Sequence, residues 1–134
     1  MRLTLPLPPS ANRNWKTVGG GGGFRLSKRT GKLARIRQRT VLSDESKKYR
    51  ESTRQYLLVL RLVPLTGPLV LTARVYRPSR ARDLNNTGKI LLDSLEGFAY
   101  RNDNQIVEEH WYADDTDPKN PRVELTISRL DQAP

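Results

Sequence analysis

The chain has 134 residues, 24 Lys and Arg against 14 Asp and Glu, a formal net charge of +10, one histidine and no cysteine. That length suits a single domain over 1–134 with a real core and is too short for two. The absence of cysteine excludes a disulfide framework and a thiolate zinc site, and the lone His110 excludes a metal site built on two histidines.

The first expected element is a short strand over residues 3–7, stopped by Pro6, Pro8 and Pro9. Residues 10–23 read as loop, because Asn12, Asn14 and the glycines at 19–23 sustain neither helix nor strand. The following basic stretch reads as a ribbon turning at Thr30-Gly31, within a flexible Gly-rich segment over about 16–42. Ser43 before Asp44 and Glu45 marks a helix start, a hydroxyl cap followed by acids that the helix dipole favours. The helix is expected to run to about Leu62, with Tyr49, Tyr56, Leu57 and Leu60 as its buried stripe. A turn at Thr66-Gly67-Pro68 leads into an alternating strand over 69–76, then to an amphipathic helix over 83–96. Strands over 106–112 and 122–130 follow, joined by an acidic loop over 113–121. The order β-α-β-α-β-β predicts an α/β (α+β) fold, a mixed sheet with two main helices packed on it. No apolar run approaches a membrane span and the start lacks a signal-peptide layout, so a soluble cytoplasmic protein is expected, with no membrane partner.

Charge is distributed unevenly. Residues 1–82 hold 19 Lys and Arg against three acids, and residues 83–134 hold five against 11. This pattern predicts a basic binding face beside an acidic site, and nucleic acid is the polyanion it fits best, because neutralised phosphates release counterions. The candidate contacts are Arg13, Arg25, Lys28, Arg29, Lys32, Arg35, Arg37, Arg39, Arg80 and Arg82.

The stretch 80–103 carries the chemistry. Leu84, Gly88, Leu91, Leu92 and Leu95 recur on one helical face, while Asn85, Lys89 and Asp93 stack on the other. Asp83, Asn85 and Asn86 sit at the mouth of this helix, and Asp103 follows it. Oxygen ligands around a hard cation, with a lysine beside them, suit phosphodiester hydrolysis. Each residue has a plainer reading. Asp83 alone serves as a helix cap, Lys89 as a solvated lysine, and Asp103 as a turn residue. Their combined order carries the signal. The glycine run lacks the spacing of a phosphate loop, and Asp114, Asp115 and Asp117 lack that of a calcium loop.

Three segments resemble the RusA-type Holliday-junction resolvases. D-L-N-N-T-G-K at residues 83–89 and D-N-Q-I at 103–106 are similar to the family's D-L-D-N-x-x-K and D-x-Q-[VI] motifs. LPLPPSANRNW at residues 5–15 is similar to its N-terminal segment, and RVELTISRL at residues 122–130 to its closing strand. The resemblance implies a homodimeric, Mg²⁺-dependent endonuclease cutting four-way DNA junctions in recombination and repair, nucleoid-associated, with no small-molecule cofactor. It assigns metal ligation to Asp83 and Asp103, charge stabilisation to Lys89 and site positioning to Asn86.

Asn85 stands where the family carries an aspartate. A neutral amide oxygen holds a hard cation more weakly than a carboxylate of nearly the same size, so impaired cleavage with an intact fold is expected. Deliberate inactivation and natural divergence would both leave this mark. Two rival functions remain: a non-catalytic nucleic-acid-binding protein, and an enzyme cutting other branched or flapped DNA.

Overall fold

The computed structural model describes every residue except 11, 12, 14, 19–22, 36–38, 83, 85, 86 and 134. In chain order its main elements are β1 (Arg2–Pro6), β2 (Trp15–Val18), β3 (Phe24–Leu26), β4 (Leu33–Arg35), β5 (Arg39–Leu42), α1 (Asp44–Leu60), β6 (Leu69–Tyr76), α2 (Gly88–Leu95), β7 (Ile106–Ala113) and β8 (Arg122–Arg129).

Alternation builds the main sheet. Leu3 and Leu5 of β1, Val123, Leu125 and Ile127 of β8, and Leu69, Leu71, Ala73 and Val75 of β6 are buried, the two-residue period of strands with one covered face. The strands lie in the order β1-β8-β6-β7. β8 is antiparallel to both β1 and β6, whereas β7 runs parallel to β6. The sheet is therefore mixed, as expected. β7 and β8 are consecutive in sequence but do not pair, because β8 crosses over to fill the centre. Pro6, which has no N–H to donate, sits on the edge strand β1, where proline is tolerated.

Ser43 caps α1 as expected, its hydroxyl accepting from the Ser46 N–H at 3.2 Å. The buried stripe differs from the expectation. Tyr49 and Leu57 face the core with Ser46 and Thr53, while Tyr56 and Leu60 are exposed. The spacing of 46, 49, 53 and 57 follows one helical face, and Tyr56 and Leu60 fall off its flank despite being apolar. The Tyr49 hydroxyl donates to the Pro6 carbonyl at 3.0 Å, fastening α1 to the end of β1.

Residues 15–18, expected as loop, form β2, which pairs with β5. The ribbon expected around Thr30-Gly31 is present as the hairpin β3–β4, and Gly31 takes the left-handed φ of 64° that its turn requires. No helix among the described residues is long and apolar enough to cross a membrane.

Candidate active site

The loop from β6 to α2 is tied down by arginines. Arg77 donates to the carbonyls of Arg82 at 2.8 Å and Arg80 at 3.4 Å. Arg82 donates to the Pro8 carbonyl, and burial pulls its pKa below the ordinary arginine value, with Glu45 opposing the shift and Arg13 adding to it. Arg82, a candidate DNA contact, thus also braces the protein, while Arg80 is exposed.

α2 is shorter than the helix expected over 83–96. It starts at Gly88, after a turn in which the Thr87 N–H bonds the Leu84 carbonyl at 3.2 Å. Thr87 stands at the cap position without a side-chain capping bond. Asp, Asn and Thr offer the backbone local bonds that compete with helix, and glycine adds an entropic cost, so a late start is physically reasonable. At the far end Glu96 is extended, and Gly97, at φ 85°, turns the chain. Gly88 also lets a ring come close, since a Cβ there would lie 3.2 Å from Cζ2 of Trp111.

Between α2 and the edge strand β7 lies a cleft of about 410 Å³, lined by Leu84, Gly88, Lys89, Leu92, Asp93, Asp103, Glu109 and Trp111. Lys89 is exposed on the first turn of α2, with its ammonium 5.6 Å from the centre of the Trp15 ring on β2. Ring and cation attract, so the N-terminal ribbon reaches the lysine. Asp103 opens a single 3-10 turn capped by Asn102.

Gln105 holds that turn in place. Its side-chain oxygen accepts from the backbone N–H groups of Arg101 (2.8 Å) and Asn102 (3.1 Å). Its amide nitrogen donates to the carbonyls of Leu65 and Gly67, both at 3.1 Å. Four hydrogen bonds from one side chain thus fix the backbone that presents Asp103. Glu109 accepts from the Trp111 indole N–H at 3.0 Å. The Tyr100 hydroxyl, which donates to the Leu92 carbonyl at 2.8 Å, is pushed well above its usual pKa, first by burial and then by the carboxylates of Glu96, Asp103, Asp93 and Glu109. Among the charged groups lining the cleft, Asp93, Asp103 and Glu109 are acidic and Lys89 is basic.

Of the chemistry-bearing residues singled out in the sequence, Lys89 and Asp103 share this cleft. Asp83, Asn85 and Asn86 lie outside the described residues, as does Arg37. Among the described residues no three His, Asp or Glu side chains form a group that could hold a metal ion. Glu109 and the bracing Gln105 were not identified from sequence. Alternation in β7 places Glu109 and Trp111 on one face, but only the packing of α2 beside this strand makes that face part of a cleft. Arg13, Arg25, Lys28, Arg29, Lys32, Arg35 and Arg39 are exposed. The six from Arg25 to Arg39 make no ion pair with a carboxylate among the described residues. Lys16 on β2 bonds Asp44 at 2.7 Å, joining the ribbon to the start of α1.

The mixed sheet carries a cleft lined by carboxylates and a lysine, and the Trp15 ring of the basic N-terminal ribbon lies over that lysine. The family model described as endodeoxyribonuclease RusA matches residues 6–128. The chain belongs to that family, and membership indicates an endodeoxyribonuclease. No curated protein matches the chain.

Proposed function

We propose that the protein is a Mg²⁺-dependent Holliday-junction resolvase, acting as a homodimer on four-way DNA and weakened in cleavage by Asn85. The observation that carries this reading is the meeting of Lys89 and Asp103, from separate elements, in one acid-rich cleft. Asp83 and Asp103 would hold the metal with Asn85 as a neutral oxygen donor. All three are hard donors of the kind Mg²⁺ prefers. Bound there, the ion supplies Lewis-acid polarisation of the scissile phosphate.

The chain's own groups do the rest. Lys89, steadied by Trp15, offsets the negative charge that grows on the phosphate as it is attacked. Gln105 keeps Asp103 in position, and the motif residue Asn86 would serve as a positioning residue of the site. The basic segment 16–42 takes up the flanking phosphates, together with Arg13, Arg80 and the exposed part of Arg82. Two symmetric cuts call for two identical sites, which a closed dimer provides. The exposed apolar residues Tyr56, Leu58, Val59, Leu60 and Val63 at the end of α1 and just beyond it support a contact between copies. Tyr56 and Leu60 also line a groove of about 550 Å³ with Arg2, Thr4, Thr72 and Arg74, none of which lines the Lys89 cleft.

The test uses the Asn85→Asp background. There Asp103→Asn should abolish junction cleavage and Lys89→Ala should slow it by about 10²–10³, both with junction affinity nearly intact. Loss of affinity without a change in rate would make them ordinary binding or structural residues.

A further inference from the structure

The hairpin β3–β4 has two unlike faces. In its antiparallel register Leu26 is opposite Leu33, Phe24 is opposite Arg35, and Arg25 is opposite Ala34. Directly opposed residues share a face, and alternate residues along a strand share it too. Phe24, Leu26 and Leu33 therefore stand on one side together with Arg35, and Arg25 and Ala34 on the other. Phe24, Leu26 and Leu33 are 65%, 60% and 71% exposed, although each is a residue type that folding normally buries. Around them are Arg25, Lys28, Arg29, Lys32 and Arg35, with no acid anywhere in residues 24–35.

The tip is well formed. Gly31 N–H bonds the Ser27 carbonyl at 2.8 Å, Ser27 N–H bonds the Lys32 carbonyl at 2.9 Å, and Thr30 N–H bonds the Ser27 hydroxyl at 3.3 Å. Such closure presets the shape of the ribbon before any partner arrives. The hairpin follows β2 and precedes β5 in the chain, and β2 carries the Trp15 that meets Lys89.

From this arrangement we infer that the hairpin is a wedge for the branch point of DNA, with Phe24, Leu26 and Leu33 stacking on exposed base faces while the surrounding cations hold the phosphates. This rests on the DNA-cutting reading above and adds the feature of the substrate that the arm recognises. The two-part chemistry argues for it. Cations alone serve any duplex, whose outer surface is sugar and phosphate and offers apolar side chains little. A branch interrupts base stacking, and apolar wedges gain contact at such steps for the least unstacking. A site that places apolar and cationic groups on the same ribbon suits that junction better than a continuous helix.

The experiment uses a synthetic four-way junction with 2-aminopurine beside the branch, without divalent metal so that nothing is cut. The full chain should bind it with a steep salt dependence, about −0.9 in log–log slope for each phosphate neutralised, and raise the fluorescence several-fold as the base unstacks. Phe24→Ser with Leu33→Ser should remove that rise and lower junction affinity roughly tenfold, while linear duplex affinity changes by less than about twofold. Phe24→Tyr with Leu33→Met, which keeps apolar bulk, should behave like the parent and show that the serine pair does not act through folding. A rise that survives the serine pair would overturn the wedge, and so would equal losses on junction and duplex. Two further results would overturn it by identifying another occupant: conversion of a dimer to a monomer by the serine pair, or binding of phosphatidylglycerol vesicles that the same pair removes. Failure of the parent chain to bind either DNA would instead sink the DNA reading itself.

Discussion

At the scale of single residues, Gln105 decides how well Asp103 is presented. Its four hydrogen bonds join the turn at Arg101 and Asn102 to the carbonyls of Leu65 and Gly67. At roughly 1 kcal/mol net for each, Gln105→Leu should lower stability by about 2–4 kcal/mol. Gln105→Glu keeps the two accepted bonds but sets a carboxylate against two carbonyls. Both variants, made with Asn85→Asp, should slow junction cleavage more than they weaken junction binding, with urea denaturation read alongside. A loss of stability with an unchanged rate would make Gln105 a purely structural brace. The D-N-Q-I string pointed to Asp103 from sequence alone. The partners of Gln105 could not be read there, because Leu65 and Gly67 are distant along the chain. Glu109 escaped notice for the same reason: its place in the site depends on α2 lying against β7.

Among the elements, the strands of the main sheet were easier to read than helix limits or the N-terminal ribbon. Alternation placed β6, the strands expected over 106–112 and 122–130 match β7 and β8 within a residue, and the Ser43 cap placed the start of α1. The start of α2 was harder, because the Asp, Asn, Thr and Gly that precede Lys89 favour local turns as much as helix. In the stripe of α1, Tyr49 and Leu57 are buried as expected, but periodicity places Ser46 and Thr53 beside them in place of the more apolar Tyr56 and Leu60. The apolar face left over has its own consequence. Leu58 and Val59 are 63% and 79% exposed, and single exposed apolar residues are ordinary but a cluster on one helix end is not. Under the dimer reading, Leu58→Glu with Val59→Glu should halve the mass seen by sedimentation equilibrium while leaving the circular dichroism unchanged. A parent chain that is already monomeric, or a variant that stays dimeric, would move the interface elsewhere or remove it.

Across the whole molecule, charge and burial set separate limits. Tyr49 and Tyr100 both have hydroxyls raised above the ordinary value of 10.0, burial being the first cause in each. The folded state therefore holds two protons that the unfolded chain releases near pH 10. Their contribution to stability is complete below that pH and falls as pH rises beyond it. Tyrosinate absorbance from these two residues should appear only together with loss of the folded dichroism, and Tyr49→Phe with Tyr100→Phe should remove that absorbance. Their ionisation in a still-folded protein would contradict the burial account. The basic arm and the acidic cleft, legible as the unequal halves of the sequence, meet where Trp15 covers Lys89. Composition alone could not show that meeting, which depends on β2 pairing with β5 beside α2. Under the proposed function, this meeting point is a metal-dependent DNA-cutting site short of one carboxylate. That reading is tested most directly by titrating Mg²⁺ into four-way junction with the present chain and with Asn85→Asp, and comparing initial cleavage rates. Changes even in groups that only support metal ligands alter activity or affinity by about 10–100-fold. The restored carboxylate should therefore raise the rate at least that much and lower the Mg²⁺ concentration needed, whereas equal rates and equal Mg²⁺ dependence in the two chains would contradict the account.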